Sequence, residues 1–226
     1  MHQCQVRDCG RLDYGKAFEL QQRLVAERKQ GLIPDQLLIV EHPPVITLGR
    51  NGRLENLLAS EQALRAAGIS FHETDRGGDI TFHGPGQIVG YPILDLREWK
   101  RDVGAYVRSV EQVMIGALAE FGIRGDLVCN CTGVWVDGKK IGAIGVHISR
   151  WVTSHGFALN VNTDMTYFQY IVPCGLTKPV TSMAAEGVLA DMQVVKQSLV
   201  RHFGEVFERE CVDESGILES MMEAAI

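Results

Sequence analysis

The chain has 226 residues, of which 46% are hydrophobic and 22% charged, and its formal net charge is −6. This is the composition of an ordinary soluble globular domain, and the acidic balance argues against nonspecific binding of nucleic acid. No apolar run reaches the roughly 18 residues that a membrane span needs, and the N-terminus lacks the features of a signal or transit peptide. We therefore expect a cytoplasmic protein with neither nucleic acid nor membrane as a partner.

The first hundred residues alternate between helical and extended patterns. In chain order they predict a helix over 13–31, a buried strand over 36–42, a helix over 60–68, a strand over 69–74 and a strand over 88–96. Asp13 supplies the side chain that caps the first helix, and Gly31 ends that helix. The first strand is expected to stop at Pro43, because proline cannot continue a sheet ladder.

The second half predicts a helix over 102–122, a hairpin over 133–148, a strand over 155–161 and a helix over 191–209. Asp137-Gly138 is a favoured two-residue hairpin turn. The apolar stripe of the 102–122 helix is expected to comprise Val103, Val107, Val110, Met114, Ala117, Leu118 and Phe121.

This order of elements lacks strict βαβ alternation, so a doubly wound fold is not expected. We predict an α/β (α+β) fold, in which helices pack on a mixed β-sheet. No linker or repeat divides the chain, so we expect one domain over residues 1–226. The tail after Cys211 is weakly patterned, and we expect it to be poorly ordered.

One stretch, RGGDITFHGPGQ at residues 76–87, combines four glycines with an arginine and a histidine. Glycines allow the backbone to approach a ligand closely or to adopt positive φ. No GK[ST] follows and no GxGxxG opens a helix, so neither a P-loop nor a dinucleotide-binding loop is predicted. A plain tight turn is the alternative. The grouping of Arg76 and His83 with the glycines favours a loop that lines a ligand.

A thiol and two lysines are candidates for chemistry further along the chain. Cys174 lies between Pro173 and Gly175, which suits an exposed reactive thiol, although a small buried residue fits this segment equally well. A nucleophilic cysteine needs a nearby cation. Lys139 and Lys140 precede the apolar IGAIGV stretch, and one of them would point inward. Solvation of both lysines at the end of the hairpin is the simpler interpretation.

The other cysteines and histidines carry weaker signals. Cys129 and Cys131 form a CxC without the second ligand pair of a zinc site, so two strand cysteines are the simpler interpretation. His155 either lines a site or makes a structural hydrogen bond. No metal-cluster pattern occurs, and cysteines in a cytosolic chain are expected to be reduced. No catalytic role is expected for the cysteines near the chain ends, which are Cys4, Cys9 and Cys211.

Five motifs occur in one order along the chain. They are EHPPVITLGR at 41–50, RGGDITFHGPGQIVGYPILDL at 76–96, GVWV with KIGAIGV at 133–146, HGFALNV at 155–161 and PCGL with VTSM at 173–183. Together they resemble the octanoyltransferases of lipoic acid assembly, the LipB family. The resemblance covers most of the chain between residues 37 and 183.

The resemblance implies a biotin/lipoate protein ligase-like catalytic domain. It implies transfer of an octanoyl group from octanoyl-acyl carrier protein to a lysine of lipoyl domains. The acceptors would be the lipoyl domains of 2-oxoacid dehydrogenase complexes and the glycine cleavage H protein. The reaction would need no cofactor, neither ATP nor a metal, because the acyl group arrives activated as a thioester.

The resemblance also assigns roles to residues. Cys174 would be the nucleophile that carries the acyl thioester. Lys140 would lower the pKa of that cysteine and act as general acid and base, with Lys139 facing away. Phe157 stands where leucine is frequent in the family, so it could reshape an acyl pocket. The substrate-binding residues would be Arg76, Gly77, Gly78, Asp79, Ile80, Thr81, Phe82, His83, Ala143, Ile144, Gly145, Gly156, Phe157 and Ala158.

Two other functions are open to such a chain. An ATP-dependent lipoate- or biotin-protein ligase on the same fold would make an acyl-adenylate and need no nucleophilic cysteine. A non-catalytic acyl-binding protein would need neither group of the Cys174/Lys140 pair. The presence of that pair favours the transferase over both.

Overall fold

A computed structural model describes residues 2–173 and 178–213 of the chain. The helices are α1 (Tyr14–Lys29), α2 (Glu61–Ala66), α3 (Val103–Glu120) and α4 (Met192–Phe207). The strands are β1 (His2–Arg11), β2 (Asp35–Glu41), β3 (Val45–Leu48), β4 (Ser70–Glu73), β5 (Ile80–His83), β6 (Gln87–Ile93), β7 (Asp126–Val128), β8 (Cys131–Val136), β9 (Lys139–Ser149), β10 (Val152–Asn160) and β11 (Arg209–Asp213). Three short 3₁₀ helices lie at Leu54–Asn56, Leu96–Glu98 and Met165–Tyr170.

The strands form two sheets of mixed direction. The large sheet has the order β11-β1-β2-β6-β10-β9-β8-β7, and the small sheet has the order β4-β3-β5. Strand β1 is parallel to both its neighbours, whereas β2, β6, β10, β9, β8 and β7 follow one another antiparallel. The predicted fold class, a mixed sheet with packed helices, is confirmed.

The large sheet lies between two layers of helices. On β2, Leu37 and Ile39 face the core that α3 and α4 cover, whereas Leu38 and Val40 face α1. Successive strand residues point to opposite faces, so an unbroken apolar strand is the pattern expected of a sheet covered on both sides. The small sheet has a core of its own, which includes Phe82 and Phe168.

The predicted ends of α1 and the predicted hairpin turn are confirmed. The Asp13 carboxylate accepts a hydrogen bond from the Lys16 backbone N–H, and Gly31 has a φ of 71° just beyond the helix. Between β8 and β9, Asp137 and Gly138 have φ of 47° and 76°. Positive φ at both positions is what a type I′ hairpin turn requires.

The apolar stripe predicted for α3 is wrong at its first residue. Val103 is 47% exposed, whereas Tyr106 and Val113 are fully buried although they were not placed on the stripe. Val103 begins the helix directly after the Asp102 cap, and the buried face starts one turn later. Tyr106 belongs to that face because its ring packs against Phe207 of α4.

The stretch 76–87 is not a continuous loop, because β5 occupies its middle and pairs antiparallel with β3. Strands β1, β3, β5, β7 and β11 were not predicted. The expectation of a poorly ordered tail is wrong for Val212 and Asp213, which belong to β11, and residues 214–226 lie outside the described residues. No helix within residues 2–173 and 178–213 is long and apolar enough to cross a membrane.

Candidate active site

A cavity of about 490 Å³, counted with its open mouth, lies where β5 and α1 meet the centre of the large sheet. Its walls mix apolar side chains with a few polar groups. The lining residues are Tyr14, Arg76, Gly78, Asp79, Thr81, His83, Val89, Tyr91, Ala143, Ile144, Gly145, His155, Gly156, Phe157 and Ala158.

The structure brings three sequence-distant segments of the predicted binding site together at this cavity. The register of β9 and β10 explains two of them, because Ile144 pairs with Phe157 and Ala143 with Ala158. The predicted binding residues that line the cavity are Arg76, Gly78, Asp79, Thr81, His83, Ala143, Ile144, Gly145, Gly156, Phe157 and Ala158.

Three predicted binding residues do not line this cavity. Thr81 and His83 face it from β5, so the alternation of a strand turns Ile80 and Phe82 to the opposite side. Both are fully buried in the core of the small sheet, where Phe82 stacks on Tyr167 with 4.8 Å between ring centroids. Gly77 instead joins the stretch to β9, since its N–H donates to the Val146 carbonyl at 2.8 Å.

Sequence reasoning missed Tyr14, Val89 and Tyr91 as cavity residues. Val89 and Tyr91 belong to a fully buried strand, so no sequence pattern separates them from the core. Tyr14 opens α1 and reaches the cavity across the fold, where its hydroxyl hydrogen-bonds Thr74 at 3.0 Å. The sequence around Tyr14 does not predict a contact with residues so distant in the chain.

Two glycines are required for the close packing of the cavity wall. A Cβ at Gly156 would lie 2.1 Å from the Gly90 carbonyl oxygen, and a Cβ at Gly145 would lie 2.9 Å from the Gly77 carbonyl oxygen. Neither separation is sterically possible without backbone movement. Gly156 therefore allows the close contact of β10 with β6, and Gly145 allows the contact of β9 with the 76–79 segment.

Arg76 is built into the wall of the cavity. It is buried, and its Nη2 donates to the Thr47 carbonyl at 2.7 Å and to the Thr47 hydroxyl at 2.8 Å. The Thr47 hydroxyl also lies 3.3 Å from its Nε. The guanidinium thus fixes the glycine-rich stretch to β3 and contributes a positive charge at the cavity wall.

His83 is a neutral histidine whose tautomer follows from its partners. The Gln87 side-chain NH₂ donates to the Asn160 side-chain oxygen at 2.8 Å, so Gln87 Oε1 is the acceptor for His83 Nδ1 at 2.7 Å. His83 Nδ1 therefore carries the proton, and Nε2 is left as an acceptor. Burial, followed by the charges of His42 and Arg76, lowers the pKa of His83 to about 3.

His155 both lines the cavity and makes a structural hydrogen bond, which answers the question left open by the sequence. Its Nε2 lies 2.7 Å from Asp75 Oδ1, and its φ is 55°, in the left-handed region. Burial lowers the pKa of His155, although Asp75 opposes this effect. Partial burial would raise the pKa of Asp75, but the contacts with His155 and His147 outweigh it and hold that pKa below its usual value.

A second cavity of about 310 Å³ adjoins the first, and Thr81, Ala143 and Ala158 line both. Lys140 and Pro173 lie in its wall. The two cavities together run from the glycine-rich stretch to the lysine at the start of β9.

The two adjacent lysines of β9 point to different surroundings. Lys140 is buried, with its Nζ 4.8 Å from the centre of the Trp135 ring. Lys139 forms an ion pair with Glu186 away from the cavities. The backbone of Lys140 bonds the 179–181 segment twice, because its N–H donates to the Pro179 carbonyl and its carbonyl accepts from the Thr181 N–H, both at 2.9 Å.

The ammonium group of Lys178 lies over the same Trp135 ring as that of Lys140. Its Nζ is 5.0 Å from the centre of the Trp135 ring and 3.7 Å from Cys131 Sγ.

Cys174, the predicted nucleophile, lies outside the described residues. Within residues 2–173 and 178–213, no group of three or more His, Cys, Asp or Glu side chains is placed to hold a metal ion, and the expected lack of a cofactor stays a prediction.

A family model described as the lipoyl protein ligase A/B catalytic domain matches residues 13–204. The chain belongs to this family. It is 63% identical over 210 residues to an octanoyltransferase of Solibacter usitatus, covering 93% of this chain and 96% of that protein. It is 51% identical to an octanoyltransferase of Koribacter versatilis, covering 91% and 85%. The chain is therefore an enzyme of the acyltransferase class, as the five motifs predict.

Solved structures confirm the fold. A putative lipoate protein ligase of Thermoplasma acidophilum with bound lipoic acid superposes with a TM-score of 0.74 at 14% identity, covering 99% of this chain and 93% of that one. A biotin protein ligase of Aquifex aeolicus superposes with a TM-score of 0.53 at 13% identity, covering 92% and 70%. At these identities the likeness shows the architecture alone.

Proposed function

We propose that this enzyme transfers an octanoyl group from octanoyl-acyl carrier protein to a lysine of lipoyl domains, through a thioester on Cys174. The acceptors would be the lipoyl domains of 2-oxoacid dehydrogenase complexes and the glycine cleavage H protein. The observation that carries this proposal is the position of Lys140. A buried lysine side chain lies in a cavity wall with Pro173, the residue that precedes Cys174 in the sequence.

The first cavity is suited to a saturated acyl chain. Val89, Ile144 and Phe157 supply apolar surface, and Ala143 and Ala158 leave space between them. Burial of a methylene group contributes about 0.8 kcal/mol. Most of the binding energy of an eight-carbon chain would therefore come from such walls, and the few polar groups would orient its carbonyl.

In the first step, the Cys174 thiolate would attack the carbonyl carbon of the octanoyl thioester. A new carbon–sulfur bond would form to Cys174 as the bond to the carrier sulfur breaks. Lys140, as an ammonium, would stabilise the attacking thiolate and give a proton to the departing carrier thiol. One thioester replaces another, so the step requires no external energy source.

In the second step, the amine of the acceptor lysine would attack the acyl-enzyme. Lys140, now neutral, would take the proton that the attacking nitrogen loses, while the Cys174 thiolate departs. The cycle ends with an amide on the acceptor and Lys140 again as an ammonium. An amide is more stable than a thioester, so the second step would drive the whole transfer.

The alternative is an ATP-dependent ligase on the same fold. The names of the relatives at 63% and 51% identity favour transfer, whereas the likeness to ligases is one of fold.

Purified enzyme with octanoyl-acyl carrier protein and a lipoyl domain tests this proposal. We expect an octanoyl amide on the acceptor lysine at the same rate with and without ATP. Octanoylation that requires free octanoate and ATP would select the ligase instead.

A further inference from the structure

Two cysteines face each other at one edge of the large sheet, away from the cavities. Cys4 of β1 is the direct register partner of Cys211 of the parallel edge strand β11. Register partners on adjacent strands point to the same face of a sheet. Adjacent strands are about 4.8 Å apart, which lies within the Cα separation of about 4.4–6.8 Å found in disulfides. A bridge therefore needs little movement of the backbone.

The two thiols differ in exposure and acidity. Cys4 is fully buried, whereas Cys211 is partly exposed. The hydrogen bond between the two thiols, then burial and the charge of Asp35, raise the pKa of Cys4. The same hydrogen bond, accepted by the Cys211 sulfur, lowers the pKa of Cys211. Cys211 is therefore the thiol that meets an oxidant from solvent, and Cys4 is the thiol beside it.

We propose that Cys4 and Cys211 form a redox-sensitive dithiol site that hydroperoxides convert to a disulfide. The Cys211 thiolate would attack a peroxide oxygen, giving a sulfenic acid and releasing hydroxide or an alkoxide. The Cys4 sulfur would then attack the sulfenic sulfur, and its proton would leave with the hydroxyl group as water. The peroxide is reduced by two electrons, and the two thiols are oxidised to one disulfide.

The bridge would join the first and the last strands described. It would fix the edge strand β11 to β1 and restrict the unfolded chain, which stabilises the folded state. Three strand spacings, roughly 14 Å, separate β11 from β6 at the cavity wall. The bridge would therefore change stability and leave the cavity unaltered.

Stoichiometric hydrogen peroxide tests this site in a Cys174→Ser background, in which the proposed nucleophile cannot consume the oxidant. We expect a loss of two hydrogens in the intact mass and a linked Cys4–Cys211 peptide after digestion. The midpoint of thermal unfolding should rise by roughly 5 °C or more and return with a reducing agent.

Cys211→Ser removes the partly exposed thiol with little change of volume, and it should abolish both the linked peptide and the thermal shift. Cys9→Ser, on the same strand as Cys4, should leave both intact. A stable sulfenic or sulfinic acid at Cys211 without a bridge would overturn the proposal. A Cys129–Cys131 link as the main product would overturn it too.

Discussion

Neighbouring residues of this chain have opposite surroundings, and the lysine pair shows it most directly. Lys139 and Lys140 differ by one position on β9, and the alternation of a strand separates them by face. Lys140 enters the cavity wall beside Trp135, whereas Lys139 forms its ion pair with Glu186. Both residues are lysines, so only their positions on the strand distinguish the proposed catalytic role of Lys140 from the ion pair of Lys139.

The lysine pair gives a matched test of the proposed acid and base. Lys140→Ala should slow acylation of Cys174 by roughly 10²–10⁴-fold, the usual contribution of a positioned proton donor. Lys139→Ala should change that rate little, since it removes a half-exposed ion pair. Rapid-quench measurement of acyl-enzyme formation gives both rates. Equal losses in the two variants would contradict the assignment.

At the scale of elements, one buried carboxylate joins a helix to two strands. Asp35, at the start of β2, accepts hydrogen bonds from Arg28 of α1 and from Arg209 of β11, both at 2.8 Å. It also accepts from the Asp95 backbone N–H at 2.9 Å. All three side chains are nearly inaccessible to solvent. Arg28 also pairs with Asp95 and Glu98, whereas the ion pair of Arg209 is with Asp35.

Asp35→Asn keeps the shape of the side chain and removes its charge. The buried Arg209 guanidinium would lose the anion it pairs with, while Arg28 would keep Asp95 and Glu98. Removing one partner of a buried ion pair typically costs about 3–5 kcal/mol in the free energy of unfolding. Urea denaturation measures this loss. Asp126→Asn is the matched control, because its pair with Arg124 is exposed and should contribute less than about 1 kcal/mol. A loss at Asp35 no larger than at Asp126 would contradict this account.

The sequence predicts the elements whose apolar periodicity is strong, and it misses those without it. The helices α1, α3 and α4 and the β8–β9 hairpin follow from apolar spacing, caps and turn residues. Strand β1 is mostly polar and only Cys4 and Val6 are fully buried, so its sequence gives no strand signal. Strand β11 likewise depends on pairing with β1 rather than on its own apolar pattern.

The same limit applies to the candidate site. The motifs identify the segments that meet at the cavity, and they also mark Ile80 and Phe82, which the strand alternation turns away from it. The cavity residue Tyr14 and the anchoring residue Asp35 act through partners that are distant in sequence. Their roles follow from the tertiary fold and not from any local pattern.

At the scale of the whole molecule, buried neutral histidines make stability depend on pH. Burial lowers the pKa of His42, His83 and His155 below the ordinary value of 6.5. The unfolded chain therefore binds more protons than the folded chain below pH 6.5. The stabilisation from these histidines is complete above that pH and is lost as the pH falls towards the folded-state pKa.

His83→Asn tests the largest of these effects. Asparagine can keep the donor that bonds Gln87 and cannot titrate. In the parent chain His83 should lower the free energy of unfolding by about 2 kcal/mol between pH 7.5 and pH 5. Urea denaturation at the two pH values should show a smaller difference in the variant. An unchanged difference would mean that folding does not lower the pKa of His83.

Covalent transfer through Cys174 is the central step of the proposed function, and intact-mass spectrometry tests that step most directly. Enzyme mixed with octanoyl-acyl carrier protein, without ATP and without an acceptor, should gain the mass of one octanoyl group. Peptide mapping should place that group on Cys174, and Cys174→Ser should gain no thioester. Transfer to a lipoyl domain at the normal rate by the Cys174→Ser variant, or an acyl group on another residue, would contradict the account.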